Sequence, residues 1–287
     1  MDIREIINEL TVKQIISDTS IQVVPLSGGT SSEVFLLLER DHHRFVVKLN
    51  EETVLSAEAG FLQNYQSVKH FPDLVYQDPA NRYIVYTFLQ GSTNYTRRHK
   101  KKMLKILVHE AINHYKKEED HAKWGWLGEE KDSWRAFLHG RIEETSGLLQ
   151  GFLSVEDIQY VRGLVDQPER YSYLDAPFLI HGDCGVHNFL FNDGDLSGVI
   201  DPTPIYGDPL YDLIYAFCSS PDDLSRETIE CAAAELNGYH AICGHFLYGE
   251  VLIGLFLRMG TCLIHHPNDL EEYMVAWKYW KNACQDG

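Results

Sequence analysis

The chain has 287 residues, with 25 lysines and arginines against 42 aspartates and glutamates, a net charge of −17. That length suits two lobes of ~100–200 residues each. The acidic balance argues against unaided binding to nucleic acid or an anionic membrane and is compatible with a cationic substrate.

The six cysteines, at 184, 218, 231, 243, 262 and 284, show no Cys-x-x-Cys pair and no regular spacing. They read as reduced core thiols. The charged start Met1-Asp2-Ile3-Arg4-Glu5 is unlike a secretory leader. No apolar run approaches the ~20 residues of a bilayer span. These features together predict a soluble, cytoplasmic protein.

In chain order, apolar residues at helical spacing predict an amphipathic helix over 2–17. Strands follow at 21–26 and 33–38, joined by a turn made of Gly28, Gly29, Thr30, Ser31 and Ser32. Glycines there let backbone amides approach an anion, and the hydroxyls add donors. Taken alone, Gly-Gly between strands is simply a hairpin turn. A third strand, 44–49, carries Lys48 in an otherwise apolar run, where a lysine is ordinarily an edge charge. Ten residues on, Glu58 lies in a segment of helical periodicity, 55–62. Residues 82–89 read as the last strand of this half, ended by Gln90-Gly91.

From 97 to 117 the chain is helical and basic. Given the overall charge, the run 97–102 reads as a solvated helix face rather than a nucleic-acid patch. Trp124, Trp126 and Trp134 mark an aromatic loop and the next helix, 134–149. A further helix spans 155–166, with Ser154 and Asp157 arranged as a capping pair. In the tail, 224–283 reads as three helices, of which 249–258 is nearly apolar all round and should be buried. His265-His266-Pro267 is better read as a helix end than as a metal site, because no spaced third ligand is evident.

The most informative stretch lies between the basic helix and the tail. Apolar runs at 178–180 and 189–191 bracket a polar loop holding His181-Gly182-Asp183 and Asn188, and Val199-Ile200 leads directly into Asp201. Short buried strands of this kind turn the polar residues at their ends toward a cleft, in a hairpin-like unit. Two acids and an amide so placed suit phosphoryl transfer, in which one carboxylate accepts a hydroxyl proton and the other groups hold magnesium. Asp208 before Pro209 fits an N-cap followed by proline in the first turn. Asp208 and Asp212 are expected to buttress the loop, and His181 to be a buried scaffold residue. Cys184, beside the base, is as well read as a thiol behind the loop as one facing the cleft.

His181-Gly182-Asp183, Asn188, Ile200-Asp201 and then Gly207-Asp208-Pro209 with Asp212 resemble the aminoglycoside phosphotransferase and choline kinase-like superfamily. The resemblance implies an α+β, two-lobed protein-kinase-like fold: a small antiparallel-sheet lobe, 1–90, that binds nucleotide, and a larger, mainly helical lobe, 91–287, for catalysis and substrate. It implies that Asp183 is the catalytic base and that Asn188 and Asp201 are ligands of Mg²⁺. ATP or GTP would meet Gly28, Gly29, Thr30, Ser31, Ser32, Lys48 and Glu58 at its phosphates, and the backbone of Thr87, Phe88 and Leu89 at its base.

The implied activity is transfer of a γ-phosphoryl group to a hydroxyl of a small, polar or cationic molecule, such as an aminoglycoside or another amine-bearing alcohol. Neither nucleic acid nor membrane is an expected partner. Two alternatives are a nucleotide-binding pseudokinase that serves as a binding module and a protein kinase. Retention of all five charged and amide positions speaks against the first. Pro202-Thr203 after Asp201, and the lack of a long segment ending in Ala-Pro-Glu, speak against the second.

Overall fold

Alternation along the strands decides which residues face which layer. The computed structural model describes residues 2–17, 21–26, 32–39, 43–238 and 244–285. Strands β1 (Gln22–Leu26), β2 (Glu33–Leu38), β3 (Arg44–Leu49), β4 (Leu74–Gln77) and β5 (Ile84–Thr87) form one antiparallel sheet in the order β1-β2-β3-β5-β4. Pro25 is accommodated because β1 is an edge strand. Helix α1 (Ile3–Val12), started by a capping box between Asp2 and Glu5, lays Ile6 and Leu10 on one face of the sheet against Leu37, Val47, Tyr83 and Val85. Helix α2 (Glu52–Asn64) covers the other face, where Val46, Ile84 and Tyr86 meet Leu55 and Ala59. Lys48 is two residues from Val46 and pairs in register with Ile84. The same alternation therefore turns its side chain to the α2 side.

The rest of the chain is mainly helical: α3 (Lys100–Glu110), α4 (Trp134–Leu148), α5 (Val155–Val165), α6 (Pro209–Cys218), α7 (Arg226–Ala233), α8 (Gly244–His265) and α9 (Leu270–Gln285). Two small sheets lie among these helices. One has the order β6 (Gly125–Trp126), β10 (Ile205–Gly207), β7 (Phe178–Ile180), and the other pairs β8 (Phe189–Asn192) with β9 (Asp195–Val199). The expected hairpin-like unit is thus divided. The run 178–180 pairs with β10 in one sheet, and 189–191 with β9 in another.

Helix α8 is the spine of this part, with Val251, Leu252, Leu255, Phe256 and Met259 buried. A Cβ on Gly254 would lie 2.3 Å from Ile214 Cγ2, so only glycine allows α6 to pack this closely. By length and composition, Phe246–His265 could cross a membrane, contrary to the expectation that no segment reaches that length. Most of the segment is buried within the protein, as in a core helix. It ends at His265, and a 3₁₀ turn at Pro267–Asp269 follows.

The basic face of α3 also departs from expectation. Lys101, Lys102 and Lys105 reach Glu227, Asp195 and Glu235 at 2.5, 2.6 and 2.8 Å. Lys100 is fully buried, donating to the carbonyls of Phe217 and Ser220 at 3.0 and 2.8 Å and to that of Asp222. The run is thus largely neutralised within the fold, and one member serves as a cap on the end of α6. The five described cysteines are free thiols, and Cys243 lies outside the described residues.

Candidate active site

A cleft of about 420 Å³ lies between the five-stranded sheet and the β8–β9 pair. Val34 and Val46 line it from the sheet, and Leu190 and Ile200 from the other side, so its middle is an apolar slot. Lys48, Asn188 and Asp201 supply the polar end. A slot of this kind accepts a flat aromatic group, with charged phosphates at the polar end.

Lys48 is almost fully buried, and its Nζ donates to Glu58 Oε2 at 2.5 Å and to Asp201 Oδ1. Burial opposes its charge, yet Glu58 and Asp201 outweigh that effect and hold the ammonium pKa above its usual value. Burial likewise pushes the Glu58 carboxyl up, to about 7, against the pull of Lys48. The Asp201 side chain is 42% exposed and its backbone sits at φ +60°, an uncommon conformation for a non-glycine residue. This conformation occurs directly after β9, where the chain turns into the cleft.

Asp183 is held on both carboxylate oxygens. Tyr215 Oη donates to Oδ1 at 2.6 Å, while Asn188 Nδ2 and His187 Nε2 lie 2.9 and 3.1 Å from Oδ2. Burial raises its pKa, but His187 and Tyr215 more than offset this, so the carboxyl lies below its ordinary value and stays ionised at neutral pH. Asn188 Nδ2 also donates to the Asp183 carbonyl at 2.9 Å, leaving the amide oxygen uncommitted among the described residues. Hard oxygen donors from Asn188 and Asp201 match what Mg²⁺ takes.

The loop is fixed from behind. Asp212, fully buried on α6, accepts from His181 N, Gly182 N and Tyr115 Oη at 2.8, 3.1 and 2.7 Å. Asp208 caps α6 through Leu210 N at 3.1 Å, with Pro209 in the first turn. Gly182 sits at φ +79°, and a Cβ there would be 2.1 Å from the Thr203 carbonyl oxygen. His181 Nε2 must donate to the Ile200 carbonyl at 3.1 Å, since a carbonyl can only accept. Burial pulls its pKa down to about 4, which makes it a scaffold group rather than a proton carrier. Cys184 is wholly buried, and burial pushes its thiol pKa far up, so it lies behind the loop and not in the cleft.

Most of the residues anticipated from sequence thus line one cleft or its rim. Gly28, Gly29, Thr30 and Ser31 lie outside the described residues. Ser32 lines the cleft and its Oγ accepts from Asn50 Nδ2 at 2.8 Å. Thr87, Phe88 and Leu89 line it too, but two of their amides are committed: Thr87 N to Asp73 O at 2.9 Å, and Phe88 N to Arg44 O at 3.2 Å. Among the described residues Leu89 N has no backbone partner, which makes it the available donor for a ligand. Sequence reasoning gave no role to Tyr215 or His187. Tyr215 lies three residues after Asp212 on one helix, a spacing that could have flagged it.

Several solved structures share this architecture. A choline kinase from Cryptosporidium parvum superposes with a TM-score of 0.57 at 13% identity, over 99% of this chain and 96% of that one. A thermostable mutant of aminoglycoside phosphotransferase APH(4)-Ia gives 0.58 at 16%, over 98% of each chain. A streptomycin–ATP–APH(2")-IIa ternary complex gives 0.53 at 18%, over 96% of each. The fold is therefore the α+β, protein-kinase-like one, with an antiparallel-sheet N-terminal part and a helical C-terminal part.

No curated protein matches the chain by sequence. The phosphotransferase enzyme family (APH) model matches residues 22–251, most of the chain, which therefore belongs to that family. That membership makes it a phosphotransferase.

Proposed function

We propose that this enzyme transfers the γ-phosphoryl group of ATP, in the presence of Mg²⁺, to a hydroxyl of a polar small molecule. The observation that carries the reading is the buried Lys48 ammonium, met at the cleft by Glu58 and by Asp201, 153 positions away in the chain. Lys48, steadied by Glu58, would bind the α- and β-phosphates, with Gly28, Gly29, Thr30, Ser31 and Ser32 as the further phosphate contacts, and the base would occupy the apolar slot near Leu89. Asn188 and Asp201 would hold the metal, which when bound neutralises the phosphate charge. Asp183 would accept the substrate's hydroxyl proton as that oxygen gains the phosphoryl group and ADP leaves. The presence of ATP in the APH(2")-IIa complex supports ATP over GTP.

Residues 1–90 would form the nucleotide lobe and 91–287 the catalytic and substrate lobe, in a cytoplasmic protein that needs neither nucleic acid nor membrane. The structural relatives include a choline kinase and aminoglycoside phosphotransferases, which keeps amine-bearing alcohols among the acceptor candidates. The test is ADP release by wild type and Asp183→Asn across a panel of small alcohols. Substrate-stimulated turnover in wild type, falling by a factor of ~10² or more in the variant, is expected. Equal turnover in both would remove Asp183 from its role.

A further inference from the structure

A second pocket, of about 30 Å³, lies between α4, α6 and α8, and Tyr215, whose hydroxyl donates to Asp183, is among its lining residues. It is lined by Arg141, Tyr211, Tyr215, Glu250 and Arg258 among apolar side chains. The residue that holds the Asp183 carboxylate thus also lines this pocket, which is separate from the cleft that holds Lys48 and Asp201. Its volume holds a group of a few atoms rather than a whole substrate.

Three of its polar groups, Tyr211, Arg141 and Arg258, bring donors that no carboxylate among the described residues takes up. Tyr211 Oη is buried and has no hydrogen-bond partner among the described residues. Arg258 is oriented through Nε, which donates to Tyr273 Oη at 3.0 Å, and that hydroxyl passes on to the Cys218 carbonyl at 2.8 Å. Arg141 lies with its guanidinium 5.4 Å from the Trp126 ring centre. Among the described residues neither arginine has a carboxylate within ion-pair distance. This is notable in a chain of net charge −17, where the lysines of α3 each find an acid. The one carboxylate in the lining, Glu250, is already taken by the buried Arg170 at 2.6 Å. A cation entering this pocket would face two uncompensated guanidinium groups. An oxyanion would satisfy both and also the orphan phenol.

We infer that the acceptor is a small hydroxy acid whose carboxylate enters this pocket and is held by Arg141, Arg258 and Tyr211. Its hydroxyl lies toward Asp183. This rests on the phosphotransferase reading above and names its substrate class, in place of the amine-bearing alcohol that the family resemblance suggests. A carboxylate fits the small volume better than a phosphate or a substituted ammonium.

Calorimetric titration of the full chain, saturated with a non-hydrolysable ATP analogue and Mg²⁺, tests it. The panel holds small hydroxy acids, the corresponding amides, sugar phosphates and amino alcohols. At least one hydroxy acid should bind, its amide at least tenfold more weakly. Arg258→Gln and Arg141→Gln should each weaken that acid about tenfold or more, and Arg258→Lys should restore part of the loss. Tyr211→Phe should weaken it less. Four results would overturn the inference: no hydroxy acid binding, amino alcohols alone binding, sugar phosphates preferred over every hydroxy acid, or equal acid affinity in wild type and both glutamine variants. Failure of the ATP analogue to bind would instead count against the kinase chemistry on which the inference rests.

Discussion

Tyr215 Oη, on α6, donates to Asp183 Oδ1 at 2.6 Å and, with Asp212, ties the loop that carries Asp183 to the helix behind it. A hydrogen bond to a carboxylate is worth ~1.5–3 kcal/mol and favours the ionised form. Tyr215→Phe should therefore lower kcat by about tenfold or more by loosening Asp183. It should also shift the acid limb of the kcat–pH profile upward. The sign follows from the role: the base works when ionised, and losing a donor raises the pH needed to ionise it. The ATP KM should change little. An unmoved acid limb would show that Tyr215 does not tune Asp183.

Much of the candidate site is legible in the sequence because its signals are local. His181-Gly182-Asp183, Asn188 and Asp201 stand at the ends of short apolar runs, and Lys48 is a charge inside an apolar strand. Other features depend on contacts that no local pattern encodes. Lys100 looks like any member of a basic run, and only the carbonyls at the end of α6, over a hundred residues away, account for its burial. The strands β4 and β10 are too short, at four and three residues, to show periodicity. Residues 249–258 read rightly as a buried helix, yet Glu250 and Arg258 interrupt that apolar run. Those two interruptions point into the pocket beside Tyr215.

The Lys48–Glu58 pair makes a prediction about stability as well as turnover. Glu58→Leu leaves a buried ammonium with only the more exposed Asp201 as partner. Breaking a buried pair on one side costs up to ~3–5 kcal/mol, whereas replacing both members with apolar groups is often close to neutral. Urea unfolding should show Glu58→Leu strongly destabilised and Lys48→Met/Glu58→Leu largely recovered. Neither variant should regain ATP turnover, because the cation proposed to bind the phosphates is lost or unheld. A double variant no more stable than the single one contradicts this account.

Gly182 offers a backbone test. With φ at +79° and the Thr203 carbonyl 2.1 Å from where a Cβ would sit, Gly182→Ala must move the loop that carries Asp183. Activity should fall by a factor of ~10² or more, since misplacement by about an ångström suffices for that loss. Gly128, whose φ is also positive but whose Cβ would meet nothing within 4 Å, is the control. Gly128→Ala should leave turnover within a few-fold of wild type. Equal effects at the two positions would mean that the contact with Thr203 is unimportant.

His181 predicts how stability depends on pH. In the native state it is buried among Phe61 and Phe71, 5.8 and 6.5 Å between ring centres, and its pKa is pulled down to about 4. In the unfolded chain it titrates near ~6.5. Between these values the unfolded state binds a proton that the native state refuses, so this residue lowers stability as pH falls through the window. At ~1.4 kcal/mol per unit, the loss from pH 7 to pH 4 is about 3 kcal/mol. His181→Gln keeps a donor for the Ile200 carbonyl but carries no titrating group. It should be less stable than wild type at pH 7, with the gap narrowing by about that amount by pH 4. Denaturant unfolding at half-unit pH intervals measures it. A gap constant across the range would mean that His181 takes up its proton at the same pH in the native state as in the unfolded chain, so that burial does not hold it neutral.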